Sequence, residues 1–457
     1  MNDKSSMTRR GFLGTAASAA VFTIVPRHVL GGPGRTAPSD KLNIAAIGVA
    51  GMGRVTVMNV KTENIVALCD VDDERAGVTY KKYPRARRYH DFRRMLDWED
   101  KNIDAVVVTT PNHTHIPVSV MAMKMGKHVF CEKPLGHNVQ ELRTATEVAR
   151  ESGVATQMGS GGHGGSNFRR VVELVRAGAI GEIKEVHIWC DNEWESPPRA
   201  VADGRNLMYG DRQPPKSPPV PKHLKWDLWL GPAPYRPYHP AYLPVSWRNW
   251  WDFGGGRLGD MGCHLLDLPF WALDLKYPLT VEAEGPRPVG REVAPRWLVS
   301  RWTFPRRGDL PPVELTWYDG NKRPQLPKEV NPSGWRMGVV FVGADGMLLA
   351  DYKKNELHPK EKFADFQPPP QTIPRGAYVH DWIAACKTDN PAARNFTGNP
   401  GLCSFDYAGP LTETVLLGTV AYRVGKKLEW DAENLKVTNC PEANEYIQRE
   451  YRKGWTL

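Results

Sequence analysis

Cysteine is scarce in this chain: seven residues in 457, spread from Cys69 to Cys440 with no C-x-x-C pair. That excludes a disulfide framework and a zinc ribbon, and reads the thiols as small buried apolar groups. Charge of one sign is also thin. Net charge is +9, but Met1 to Lys41 hold six basic and two acidic residues, so the body carries only +5. With no basic run and no helix patterned for a groove, nucleic acid is not an expected partner. Beyond the first forty residues no apolar run reaches the roughly 18 residues of a membrane helix, and no repeat or low-complexity block stands out. What remains is 41% apolar and long enough for two or three domains. Its 42 glycines and 39 prolines follow no fixed period, which makes them turn residues between ordered elements.

The first forty residues read as an address. Thr8-Arg9-Arg10-Gly11-Phe12-Leu13 resembles a twin-arginine export signal, followed by weakly apolar Gly14 to Val25 and a loose stretch from Pro26 to Asp40. The expectation is a protein exported to the periplasm or beyond. Cleavage near Ala17-Ser18-Ala19 and an uncleaved tether both remain open.

After the address, short apolar runs at 42–48, 64–70, 103–109 and 128–132 alternate with stretches of helical spacing such as 115–126 and 138–152. Runs this short without polar alternation suit strands covered on both faces, so residues 41–160 predict an α/β, doubly wound parallel sheet of Rossmann type. From Ile183 the pattern changes to longer strands at 183–191, 297–304, 313–317 and 338–342 with no helix between each pair, which predicts a C-terminal α/β domain, 161–457, on a large, mainly antiparallel open sheet. Within it, 196–251 is a long Pro- and Trp-rich insertion, and long ordered loops tend to carry function.

Chemistry first shows in the turn after strand one. Gly48-Val49-Ala50-Gly51-Met52-Gly53 is close to G-x-G-x-x-G, with Ala50 at the second glycine position and Gly51 beside it. Glycines let backbone amides approach a pyrophosphate at a helix N-terminus, so Gly48, Gly51 and Gly53 are candidate cofactor residues. Asp70 ends the next strand, 22 residues beyond Gly48, where a carboxylate bonds a ribose diol and repels a 2'-phosphate; NAD is favoured over NADP. A purely structural glycine turn with a capping aspartate is the alternative. Arg54 and Val55 stand where a P-loop needs Lys and Ser/Thr.

Two further loops end later strands: Thr109 to His115 and Glu132-Lys133-Pro134. Both fall at the carboxyl edge, where open parallel sheets bind ligands. The glycine loop, Pro111-Asn112-x-x-His115, Glu132-Lys133-Pro134 and Gly259-Asp260-Met261-Gly262-Cys263-His264 together resemble the glucose-fructose oxidoreductase, inositol dehydrogenase and rhizopine catabolism (Gfo/Idh/MocA) family. The likeness runs from Leu42 over most of the chain. It implies a Rossmann domain followed by an open-sheet domain that often makes an oligomer contact, so a homo-oligomer is expected. It also implies that Asn112 and His115 lie on the nicotinamide side of the cofactor and that Lys133 stands between nicotinamide and substrate; Glu132 is a further candidate cofactor residue. A lysine there can donate to a sugar oxygen and stabilise an alkoxide as hydride leaves the carbon.

Asp260 and His264 are four apart, one face of a helix over 259–275. The imidazole can take a hydroxyl proton and Asp260 can orient it or touch substrate; the resemblance gives both positions the same roles. A helix cap and a satisfied core histidine are the bland alternative. His163, in the glycine-rich stretch 159–165, and Arg248, among Trp226, Trp229, Trp247, Trp250 and Trp251, are candidate substrate contacts, with indoles offering faces to sugar rings. His113-x-His115 lacks a second ligand pair, so no catalytic metal is expected. The tail from Cys403 reads as a helix through Ala421, then polar connecting structure without chemistry.

Free NAD is not expected outside the cytoplasm, so an exported enzyme of this kind must load its cofactor first and keep it. A held cofactor favours a cycle that returns hydride to the same or a second substrate. The leading expectation is an exported NAD-dependent oxidoreductase acting on a carbohydrate or polyol. The rivals are a redox-neutral NAD-dependent glycosidase and a noncatalytic sugar-binding protein.

Overall fold

In the computed structural model, residues 37–191, 217–286, 292–328, 330–376 and 378–457 are described. The twin-arginine stretch and residues 196–216 of the insertion lie outside them. Six parallel strands form the first sheet: β1 (Asn43–Ile47), β2 (Asn64–Cys69), β3 (Arg87–Tyr89), β4 (Ala105–Val108), β5 (His128–Glu132) and β6 (Thr156–Gly159), in the order β3-β2-β1-β4-β5-β6. All four residues of β4 and all four of β6 are buried, as expected of strands covered on both faces. Between them run α1 (Met52–Asn59), α2 (Asp73–Lys82), α3 (Phe92–Glu99), α4 (His115–Lys124) and α5 (Val139–Ser152). The last opens with a capping box, the Asn138 side chain accepting from Glu141 N–H, and closes on left-handed Gly153.

Strand order reverses at β1 and β4, since β2 lies to one side of β1 and β4 to the other. The loops leaving those two strands diverge and open a crevice at the carboxyl edge, the ligand position of such sheets. Neither β3 nor β6 is marked in the sequence by an apolar run. β3 is a polar three-residue edge strand, and β6 carries Thr156 and Gln157, whose side chains bond the backbone of residues 403–405 and Met158 instead of water.

The second part contains α6 (Ser166–Arg176), β7 (Ile183–Cys190), α7 (Trp226–Leu230), α8 (Gly256–Ala272), β8 (Thr280–Glu284), β9 (Val299–Phe304), β10 (Val313–Asp319), β11 (Met337–Gly343), β12 (Met347–Ala350), β13 (Asn355–His358), α9 (Tyr378–Lys387), α10 (Phe405–Val424), β14 (Leu428–Asp431) and β15 (Lys436–Val437). Among the described residues nine strands join in the order β13-β12-β11-β7-β10-β9-β8-β14-β15, antiparallel except for the β7–β10 pair. Helix α10 is buried at 17 of its 20 positions and packs against α5, α8 and strands of the second sheet. A helix buried on nearly all sides belongs inside a core, and this one packs against elements of both sheets. All seven cysteines are buried free thiols.

Candidate active site

The glycine loop is built by sterics. Gly48 has φ +76°, and a Cβ there would sit 2.6 Å from the Thr109 carbonyl; at Gly53 a Cβ would lie 1.8 Å from the Gly48 carbonyl. Both positions demand glycine. Gly51, φ +53°, immediately precedes α1, and its nearest neighbour in the Cβ direction is the Arg75 guanidinium at 3.6 Å. That side of the loop is open, and no acidic residue occupies the first turn of α1. Asp70 ties the loop down: its Oδ2 accepts from Val49 N–H at 2.8 Å and Ala50 N–H at 3.2 Å, and its Oδ1 accepts from Asp72 N–H at 3.0 Å. Burial pushes the Asp70 carboxyl up in pKa, against the pull of these amides. A carboxylate has about four acceptor directions. Two are spent on the glycine loop and one on the turn after β2, so Asp70 braces the cradle and retains room for one ribose donor.

Between this loop and the end of β4, the hydroxyls of Thr109 and Thr110 are buried without a partner. Buried polar atoms are rarely left so; these two line the cleft together with Gly48, Gly51, Asp70, Asn112, His115, Glu132, Lys133 and Arg248. Glycine cradle, open helix end and orphaned hydroxyls fit a dinucleotide pyrophosphate. The cleft holds about 1550 Å³ of atom-free space, part of it open to solvent.

His115 sits between two carbonyls, Nδ1 2.7 Å from the Pro134 oxygen and Nε2 2.7 Å from the Thr110 oxygen, and as a neutral ring donates to one of them. It staples the β4 loop to the β5 loop. Burial pulls its pKa down to about 4. Glu132 points back beneath the cleft, accepting from Thr56 Oγ1 at 3.1 Å, and burial pushes its pKa up. The alanine-sized gap is absent at Gly159, where a Cβ would strike this carboxylate at 2.6 Å.

At the far end of the cleft, Lys133 Nζ donates to Asp260 Oδ1 and to the Asp260 carbonyl, both at 2.8 Å. Arg248 Nε donates to the same Oδ1 at 3.0 Å. Burial would raise the Asp260 pKa, but the Lys133 and Arg248 charges hold it well below the usual carboxylate range. An ammonium has three donors; with two spent on Asp260, Lys133 keeps one for a substrate oxygen. One turn on along α8, His264 carries a buried Nδ1 with no partner, and burial plus the Lys133 charge bring its pKa down to about 3. The imidazole is therefore held neutral, with an unpartnered ring nitrogen beside the Lys133–Asp260 pair. The structure thus brings Lys133, Asp260, His264 and Arg248 together.

Tyr352, just after β12, stands edge-on to His264 with ring centroids 6.1 Å apart, and burial raises its pKa well above the usual tyrosine value. Nothing in its local sequence marks it; a long-range strand pairing carries it there.

His163, expected among substrate contacts, is placed elsewhere. It is fully buried, stacked on Trp271 at 4.0 Å, with Nδ1 on Asp267 Oδ1 at 2.9 Å and Nε2 on the Pro400 carbonyl at 3.1 Å. Asp267 also accepts from Ser160 Oγ at 3.0 Å and Tyr407 OH at 2.7 Å. Both histidine nitrogens are spent within the core, so the glycine-rich stretch anchors α8 instead of lining the cleft. His163, Asp267 and Cys403 bring their ligand atoms within 4.8 Å of one another. Burial drives the Cys403 thiol pKa well up, away from the thiolate a metal requires, and the other two are satisfied by hydrogen bonds.

A family model for the NAD-binding Rossmann fold of Gfo/Idh/MocA oxidoreductases matches residues 42–160, and a model for their C-terminal alpha/beta domain matches 205–299. The chain belongs to the Gfo/Idh/MocA family. A myo-inositol 2-dehydrogenase of Thermotoga maritima is 30% identical over 142 residues, 30% of this chain and 42% of that protein. A glycosyl hydrolase family 109 protein of Stenotrophomonas maltophilia is 26% identical over 197 residues, 40% of this chain and 41% of that protein. The chain thus spans about two fifths of the length of these curated relatives. The WlbA dehydrogenase from Bordetella pertussis, solved in complex with NADH and UDP-GlcNAcA, covers 86% of this chain and 98% of its own at TM-score 0.58 and 15% identity, a likeness of fold.

Within this Gfo/Idh/MocA chain the first sheet is an NAD-binding Rossmann domain. Of the aromatic insertion, Trp229 and Trp247 line the cleft, while Trp226, Trp250 and Tyr242 pack into a cluster behind them. The tail, expected to carry no chemistry, also reaches the cleft through Trp455.

Proposed function

We propose that this protein is an exported NAD-dependent oxidoreductase acting on a carbohydrate or polyol, with its cofactor retained and recycled. The carrying observation is the Lys133–Asp260 contact, which sets a cation from the NAD-binding domain against a carboxylate and a neutral imidazole from the second domain. Bound in this cleft, NAD would supply reversible hydride transfer at a carbinol carbon.

The chain's own groups then do three things. Lys133 donates to the substrate oxygen and stabilises negative charge developing on it. His264, held neutral, takes the hydroxyl proton. Asp260, kept ionised by two cations, fixes the Lys133 ammonium and bars it from swinging away. Support for a carbohydrate-type substrate comes from the names of relatives, an inositol dehydrogenase among them. Export rests on the twin-arginine-like stretch alone.

A second reading is favoured by one observation, the Tyr352 ring beside His264, which supplies a second proton-transfer group; a family 109 glycosyl hydrolase is among the relatives. In that reading a ketone at ring carbon 3 acidifies carbon 2. A base removes that proton, the glycosidic oxygen leaves carbon 1 with its electron pair, and water adds there. Proton and hydride then return to carbons 2 and 3.

The deciding experiment incubates purified protein with sugars, polyols and aryl glycosides in D2O while following nicotinamide absorbance. Net reduction with polyols or sugars supports the first reading. Aglycone release without net reduction, with deuterium at carbon 2, supports the second. No turnover on any substrate by protein containing bound NAD points to the noncatalytic alternative.

A further inference from the structure

The strand order fixes which half of a dinucleotide goes where. Lys133, after β5, marks the reacting end, so the other half lies across the β1–β4 switch, toward the ends of β2 and β3, beside Asp70, Asp72 and Phe92. Over that half the structure places two segments from outside the Rossmann domain.

The first is the strap leading into α7. Leu224 forms a bridge with Asp72, Asp73 N–H donates to the His223 carbonyl at 3.1 Å, and Lys225 N–H donates to the Val71 carbonyl at 2.8 Å. His223 also meets the Asp72 carboxylate through Nδ1 at 2.9 Å. The strap thus adds itself by main-chain bonds to the loop after β2. Its Trp229 carbonyl receives His113 Nε2 at 3.0 Å, and the Trp229 ring stacks on Trp226 at 4.8 Å, so this part of the cleft wall is rigid.

The second is the chain's last turn of residues. Arg452 grips the strap: its backbone N–H donates to the Pro232 carbonyl, Nε to the Gly231 carbonyl at 3.1 Å and an outer nitrogen to the Asp227 carbonyl at 2.8 Å, with the Asp227 carboxylate paired to it as well. Trp455 follows, nine-tenths buried, lining the cleft, with the Arg93 guanidinium 4.3 Å from its ring and Phe92 at 5.9 Å. The tail lies beyond both regions matched by the family models.

We propose that strap and tail together form a second wall of the nucleotide site, receiving the adenosine half of an adenine dinucleotide against Leu224 and Trp455, and that the Arg452 grip keeps that nucleotide from exchanging between turnovers. This rests on the reading that the protein holds and recycles NAD. An indole and an aliphatic side chain lining the same part of a cleft suit a purine ring, and a wall whose two segments are bonded to each other resists the opening that release would need. In this proposal release is coupled to the tail letting go of the strap, a local opening.

The test loads full-length protein with an etheno-adenine analogue of NAD and chases it with excess NAD. Slow release is expected from the unaltered chain, with release accelerated at least tenfold by Arg452→Ala and by Trp455→Ala, and with Trp455→Phe near the unaltered rate. Hydrogen exchange of the unaltered protein guards against poorly folding variants: ADP-ribose should protect amides in 449–457 and 223–231. Equal release rates in all variants, or uptake of nucleotide with no protection of either segment, overturns the proposal while leaving NAD binding intact. A protein that takes up no nucleotide at all overturns both this proposal and the reading beneath it.

Discussion

Lys133 Nζ lies 2.8 Å from Asp260 Oδ1 and 2.8 Å from the Asp260 carbonyl oxygen, so a single ammonium joins the loop after β5 to the first turns of α8. The pair is only slightly exposed, with Lys133 at 13% and Asp260 at 8%. Away from bulk water such a contact sets geometry as well as charge, and the predictions below follow from it and from the buried groups around it.

Replacing Lys133 with Ala removes the donor to the substrate oxygen. Turnover should fall about 100- to 1000-fold, the usual cost of losing one such donor, with bound NAD still present in the purified protein. Lys133→Arg should not rescue, because a planar fork cannot reproduce the ammonium's two bonds to Asp260. Steady-state kinetics and nucleotide content after denaturation check both.

His264 sets the acid limb of the reaction. Its pKa is down at about 3, so the base form persists on acidification and kcat/KM should stay flat through pH 6.5 and fall only toward pH 4 and below. A limb near pH 6.5 that disappears in His264→Asn would contradict this.

The same burial makes folding pH-dependent. His113, His115, His128 and His264 have pKa values lowered to about 3, 4, 4 and 3, whereas in the unfolded chain each titrates near about 6.5. The unfolded state therefore binds more protons, so stability is full above about pH 6.5 and is lost as pH falls through about 4. Each proton contributes up to about 1.4 kcal/mol per pH unit. Urea unfolding at pH 7, 6, 5 and 4 should show this slope; a level profile would refute it.

Asp267→Ala leaves Ser160, His163 and Tyr407 without their shared acceptor inside the core. A loss of about 3–5 kcal/mol is expected in urea unfolding, against a much smaller loss for Asp267→Asn, which keeps an acceptor oxygen. Nucleotide binding, built on the first sheet, should survive wherever the protein remains folded.

At the cradle, Gly53→Ala should abolish NAD binding, since its Cβ would fall 1.8 Å from the Gly48 carbonyl and the loop must move. Gly51→Ala makes only an ordinary contact with Arg75 at 3.6 Å but must take φ +53°, ψ −120°, a backbone that favours glycine, costing about 1–3 kcal/mol. Calorimetric titration with NAD separates the two.

Much of this was readable beforehand because it is local. Covered strands announce themselves as short apolar runs, and β1, β2, β4 and β5 all fall within residues read that way. Spacing alone put Asp260 and His264 on one helix face, and α8 contains both. Polar β3 offered no such run. His163 misled because a glycine-rich setting suggests a loop at a cleft, whereas long-range bonds to Asp267 and Pro400 drew it into the core.

By itself the amino-acid order determined the parallel sheet, the glycine turn and the family motifs, since periodicity and steric demand act over a few neighbouring residues. Only the tertiary structure decided that Asp70 bonds two amides of the cradle, that Tyr352 faces His264, and that Trp455 lines the cleft. Those relations join residues far apart in the chain, where burial and complementary bonding groups select partners that no local pattern encodes.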